Sequence, residues 1–287
     1  MFGPCSLWLV STRAAGCGTG LEGLALYRHT PDGGWTTSSL AAFHAEDALK
    51  KLTVFFVHGN RYTADDALET GETIYQGIGA AAGTNRPVRF VIWSWPSDKL
   101  VRGQLRDLRL KAIRAEWQGI HLARFIAAMK PDVPIGLMGH SYGSRLISSA
   151  LHMLGGGEIS GKYLKTPPRR TAPLRVVLMA AAMGNYWMLP GERHGQAMNA
   201  VDGILVVANS QDGVLRWYPR LFPGPGANAL GYTGIALPEK LGPYLDKVEQ
   251  IDVAPLIGKG HNLVEYYQSS PIWQRVSRYA LSVPSDR

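Results

Sequence analysis

Gly139-His140-Ser141-Tyr142-Gly143 sets a hydroxyl among small neighbours directly after an apolar run, an arrangement that suits a nucleophile. A serine hydroxyl attacks a carbonyl carbon effectively only when a nearby base takes its proton, and the base needs a carboxylate to fix its tautomer and steady its charge. The chain offers both downstream. Asp212 follows the aliphatic run Ile204 to Ala208 through Asn209-Ser210-Gln211 and precedes Gly213, so its carboxylate is expected to project from a turn beyond a strand. His261 lies in Gly258-Lys259-Gly260-His261-Asn262, past a further strand-like run and just before a short helix over Leu263 to Gln268. Serine, acid, histidine is the chain order in which such strand-to-helix elbows are completed. We therefore expect Ser141 as nucleophile, Asp212 as orienting acid and His261 as base. The competitors fit less well: His121 and His194 precede Asp212, and Glu265 is too near His261 along its own helix. Asp202 opens its strand at the wrong end, and Asp246 or Asp252 would break the strand order. His140 belongs to the elbow and is expected to point away from the reacting centre.

Negative charge developing on a carbonyl oxygen needs preorganised donors. One is expected to be the backbone N–H of Tyr142, directly after the nucleophile. The other is expected from Phe55-Phe56-Val57-His58-Gly59-Asn60-Arg61, where a strand ends in His-Gly and the Asn60 amide can face the pocket. His58 itself reads as a strand-end packing residue. Tyr142, Trp187, Trp217 and Tyr218 are candidates to line an apolar acyl pocket, although buried aromatics are more often core.

The elements that must position these groups alternate short apolar runs with longer helical stretches, the pattern of a mostly parallel sheet covered by helices. Eight strands can be placed, at Leu7–Ser11, Leu24–Arg28, Leu52–Val57, Val88–Trp93, Val133–Met138, Leu174–Ala181, Ile204–Ala208 and Val248–Val253. The first two should pair antiparallel through a turn region marked by Gly16, Gly18 and Gly20. Helices are expected over Ala64–Ala82, over a long region that follows Trp95-Pro96-Ser97-Asp98 and reaches Met129, and from Ser141 to Leu154. The elbow between the fifth strand and its helix forces the serine into strained backbone angles, and Gly139 and Gly143 are small enough to let strand and helix pass. A Gly- and Pro-rich excursion over about 218–243 should be irregular and could shape a pocket mouth.

With 46% hydrophobic and 18% charged residues, the 287-residue chain can bury one substantial core, and we expect a single domain over residues 1–287. Cys5 and Cys17 are too few for a disulfide framework and read as reduced thiols. The apolar run at Leu7 to Val10 lacks a basic leader, and no run approaches the roughly 20 apolar residues of a membrane span, so the expected compartment is the cytoplasm, without stable membrane anchoring. No metal-ligand spacing or cofactor motif is present. The net charge of +8 concentrates between Lys99 and Arg114 and around Lys162 to Arg170. Arg102, Arg106 and Arg109 share one helical face, which could meet an anionic substrate, nucleic acid or an anionic lipid surface. Val101, Leu105, Leu108 and Ala112 make the other face apolar, so the stretch reads as a surface helix with a solvated basic side rather than a nucleic-acid site.

Together, the elbow at Ser141, the strand-end Val57-His58-Gly59 and the ordered Asp212 and His261 resemble the α/β-hydrolase superfamily over nearly the whole chain. More narrowly, Phe56-Val57-His58-Gly59 with Asp65-Asp66-Ala67, Trp95-Pro96-Ser97, and Asp212 followed by Val214-Leu215 look like a poorly characterised bacterial group of esterase- and lipase-like hydrolases. That group would show an aromatic residue and then asparagine after His-Gly, whereas Asn60, Arg61 and Tyr62 follow here. The resemblance implies an α/β-hydrolase fold with an about eight-stranded, mostly parallel sheet. It also implies a cofactor-free serine hydrolase acting on a small-molecule acyl substrate, most readily a carboxylic ester, through an acyl-enzyme. Peptidase, amidase, thioesterase and acyltransferase activity share the machinery. A non-catalytic protein binding through the basic face is the alternative from another class.

Overall fold

Strand runs that are apolar on every residue must be covered on both faces, and the chain assembles them at the centre of one sheet. The computed structural model describes residues 5–16, 18, 20–82, 87–224 and 227–282. Its nine strands are β1 (Ser6–Ser11), β2 (Ala25–Thr30), β3 (Gly34–Ser38), β4 (Leu52–Val57), β5 (Val88–Ser94), β6 (Ile135–His140), β7 (Leu174–Met179), β8 (Gly203–Ala208) and β9 (Val248–Asp252). They lie side by side in the order β3-β2-β1-β5-β4-β6-β7-β8-β9. From β1 to β9 every neighbouring pair is parallel, while β1–β2 and β2–β3 are antiparallel. β4, β5, β6 and β8 are buried along their whole length.

The helices are α1 (Leu40–Ala45), α2 (Ala64–Ala82), α3 (Gln104–Ala128), α4 (Tyr142–Leu154), α5 (Tyr218–Leu221), α6 (Leu230–Thr233), α7 (Ala254–Ile257), α8 (Leu263–Gln268) and α9 (Ser270–Leu281). α3 packs along α4 and α2 beside α9, which covers the two faces of the sheet. This is the α/β-hydrolase fold expected from the sequence, with one more strand than the eight placed there. The added β3, Gly-Trp-Thr-Thr-Ser, is an edge strand with little burial, so no apolar alternation marks it. The excursion at 218–243 is less irregular than expected: it holds α5, α6 and the start of a kinked 3₁₀ stretch over Pro238–Lys247. Cys5 is a partly buried free thiol, and Cys17 lies outside the described residues. Among the described residues no helix is long and apolar enough to cross a membrane.

What matters for the site is where the sheet order reverses. The chain steps from β4 to β5 on one side and then crosses to β6 on the other, so β4 and β6 are adjacent and the loops leaving their carboxyl ends meet. Such a reversal opens a crevice at the carboxyl edge of the sheet. The loop after β4 and the elbow after β6 form its two walls.

Candidate active site

Ser141 sits between the end of β6 and the start of α4 with φ 53° and ψ −117°, a left-handed angle that a non-glycine residue adopts only under constraint. The constraint is visible. Its N–H donates to the Met179 carbonyl at 3.0 Å, and its own carbonyl accepts from Ser144 N–H at 3.1 Å and Ala182 N–H at 3.3 Å. The two glycines make the turn possible: a Cβ on Gly139 would come within 2.8 Å of Ile147 and of the Ser144 nitrogen, and one on Gly143 would collide with the carbonyl oxygens of Val57 and His58.

Asp212 lies in the turn after β8 and is fully buried. One carboxylate oxygen accepts the Val214 and Leu215 N–H groups, each at 2.8 Å, and the other accepts from His261 Nδ1 at 2.7 Å. A carboxylate oxygen only accepts, so the proton of that contact is on Nδ1, which in the neutral imidazole leaves the lone pair on Nε2. His261 Nε2 stands 3.2 Å from Ser141 Oγ. The three residues expected from the sequence are thus brought into one hydrogen-bonded line, acid to imidazole to hydroxyl.

The histidine loop is held from below by groups that no sequence motif marks. Asn209 Nδ2 donates to the Gly258 and Gly260 carbonyls at 2.9 and 2.7 Å, and Gly213 N–H donates to Lys259 at 3.0 Å. His140, expected to point away, instead turns its ring towards this loop: Nε2 donates to the His261 carbonyl at 2.8 Å, with the two imidazole centroids 5.4 Å apart. Burial, aided by the neighbouring His261, pushes His140 down to about 3, so it stays neutral and keeps that donor. Asn262 and Glu265 close a capping box on α8, which gives Glu265 a structural task. The other competitors are engaged elsewhere: Asp252 with Ser210, Asp202 with the Leu174 N–H, and His194 with Ser148.

Opposite the elbow, His58 is enclosed and stacks on Tyr62 and Trp95, with centroids at 4.9 and 5.7 Å. Its Nδ1–H donates to the Gly59 carbonyl at 2.9 Å and its Nε2 accepts the Trp95 N–H at 3.2 Å. Burial holds it near 3, a packing residue in the neutral form. Trp95-Pro96-Ser97 pins the loop that follows: Arg61 N–H donates to the Ser97 carbonyl and Tyr62 N–H to Ser97 Oγ, both at 3.0 Å. This fixes Asn60 beside the crevice. Tyr142 is the first residue of α4, where an amide has no partner inside the helix.

Ser141, His261, Asn60 and Tyr142 all line one cavity of about 380 Å³. Leu108 of α3, Leu215, and Tyr218 and Leu221 of α5 supply much of its apolar wall. Two buried polar atoms on residues of this wall, Asn60 Oδ1 and Tyr218 Oη, have no hydrogen-bond partner among the described residues. Of the four aromatics read as candidate lining, Tyr142 and Tyr218 line the cavity. Trp187 lines a neighbouring groove with Arg145 and Arg193, and Trp217 is 40% exposed.

Fold and elbow together define an α/β hydrolase. Residues 36–182 match the family described as alpha/beta hydrolase of unknown function (DUF900), and the chain belongs to that family. The matched span carries the β4 loop and the elbow, while Asp212 and His261 fall beyond it. Among solved structures the chain is similar to acyl-protein thioesterase 2 of Zea mays, at 13% identity with a TM-score of 0.40, covering 81% of this chain and 94% of that one. No curated protein matches.

Proposed function

We propose that the protein is a serine hydrolase that cleaves carboxylic esters of small-molecule acyl substrates through an acyl-enzyme, with residues 1–287 acting as one domain. Ser141 Oγ attacks the ester carbonyl while His261 Nε2 takes its proton; the tetrahedral intermediate collapses as the imidazolium returns that proton to the leaving alcohol. Water then enters, is deprotonated by the same nitrogen, and releases the acid. Asp212 holds Nδ1–H and stabilises the imidazolium. The N–H groups of Tyr142 and Asn60 receive the oxyanion, and removing a donor of this kind commonly costs about 10²-fold or more in rate.

The observation that carries this reading is the relay itself: 2.7 Å from Asp212 to His261 and 3.2 Å from His261 to Ser141. The apolar wall around it suits an acyl chain. The test is intact-mass spectrometry of protein quenched during turnover of a p-nitrophenyl ester. An acyl adduct on wild type that is absent from Ser141→Ala is expected, whereas turnover that continues in Ser141→Ala would remove the proposal. Thioester and amide probes on the same pair rank the leaving groups.

A further inference from the structure

The sequence assigns α3 an apolar face turned inward and a basic face turned out. The structure differs in a way that bears on substrate. The inward side of α3 carries a buried ion pair, Lys111 to Asp107 at 2.6 Å, and Leu105, Leu110 and Ile113 stand in solvent at 60%, 38% and 54% exposure, among the exposed Arg102, Arg106 and Arg109. Arg109 Nε donates to the Leu221 carbonyl at 2.9 Å, which ties this helix face to α5. Directly before α5, Val214 and Trp217 are exposed at 53% and 40%, and Arg216 and Arg220 lie over the Trp217 ring at 4.8 and 4.2 Å. Val264 of α8 is 36% exposed. Val214 and Val264 also line the cavity that holds Ser141, so they mark its rim.

One face therefore combines exposed apolar side chains, a tryptophan between two guanidinium groups, and arginines on two elements. Among the described residues, none of Arg61, Arg102, Arg106, Arg109, Arg216 and Arg220 is in an ion pair. A nucleic acid would answer the charge and leave the leucines and valines in water. The headgroup and acyl boundary of an anionic bilayer answers both, since it takes apolar side chains a few ångströms deep and holds tryptophan and arginine at the level of the phosphates. We propose that the rim of the cleft docks reversibly on an anionic lipid surface and that the substrate is a lipid ester drawn from that surface into the cleft. The substrate half of this proposal rests on the serine hydrolase reading; the docking half does not.

The test is co-sedimentation with vesicles of phosphatidylcholine alone and of phosphatidylcholine with phosphatidylglycerol, at low and high salt. Wild type and Ser141→Ala are expected to bind the anionic vesicles equally, so binding is read without catalysis. Each arginine neutralised should weaken binding about fivefold. Arg106→Glu/Arg216→Glu/Arg220→Glu should abolish binding, and Leu105→Ala/Trp217→Ala should reduce it on anionic vesicles. Each surface variant, with Ser141 intact, is checked by fluorophosphonate labelling, expected at the wild-type rate. Wild type gives an independent reading: release by high salt and a blue shift of tryptophan emission on vesicle addition. No binding to anionic vesicles, equal binding by the charge-reversal variant, or retention on RNA that is indifferent to Leu105 and Trp217 would each overturn the docking face. Docking without any faster hydrolysis of vesicle-borne ester than of the same ester free in solution would overturn the substrate assignment alone.

Discussion

At the residue scale, the proposed catalysis depends on a proton held in the right place. Asp212 fixes the Nδ1–H tautomer of His261 through a 2.7 Å contact, and its other oxygen is already committed to two backbone amides. Asp212→Asn would keep the shape but can donate to Nδ1, which favours the tautomer with Nε2 protonated and unable to accept from Ser141. We expect kcat on a p-nitrophenyl ester to fall by about 10⁴-fold with KM little changed; a loss below tenfold would show that Asp212 is not the orienting acid. Ser141, Asp212 and His261 could be picked out as candidates because Ser141 directly follows an apolar strand run, Asp212 lies in the short turn after another, and His261 sits in a glycine-flanked loop further on, in the chain order such elbows use. Asn209 and His140 could not, because each acts on a loop carbonyl, and a backbone acceptor leaves no side-chain pattern to read.

At the element scale, eight of the nine strands and three long helices are legible in the sequence, and the departures have physical causes. α9 escapes because Pro271 resembles a stop after α8, yet proline is well placed in the first turn of a helix, where its missing N–H costs nothing. α3 misleads because Asp107 and Lys111 pay their burial to each other, leaving leucines outside. A similar hidden pairing lies at the start of β5: Arg89, its second residue, is buried against Asp47 at 2.5 Å and also donates to Thr53 Oγ1 and the Phe43 carbonyl. Asp47→Ala would strand that guanidinium, and we expect a loss of about 3–5 kcal/mol in urea unfolding, whereas replacing both partners by apolar residues of similar volume should recover most of it. A single variant within 1 kcal/mol of wild type would mean that the pair carries no such weight.

At the scale of the whole molecule, the same enclosure that shapes the crevice makes the protein acid-sensitive. His58 and His140 have folded values near 3, set first by burial. Both lie below the ordinary histidine value of about 6.5, so between about 6.5 and 3 the unfolded chain binds the more protons and stability falls as pH falls. Each histidine contributes up to about 1.4 kcal/mol per pH unit through that window. Thermal midpoints should be level above about pH 7 and decline towards about pH 5, less steeply in His140→Gln; a level profile down to about pH 5 would contradict it. The proposed hydrolase requires an activated serine at the reversal of the sheet. Labelling by a fluorescent fluorophosphonate tests it most directly, because the reagent reads nucleophilicity without needing the natural substrate. We expect rapid labelling of wild type, little in His261→Ala and none in Ser141→Ala; folded wild type that stays unlabelled, or label that persists in Ser141→Ala, would rule out Ser141 as an activated nucleophile.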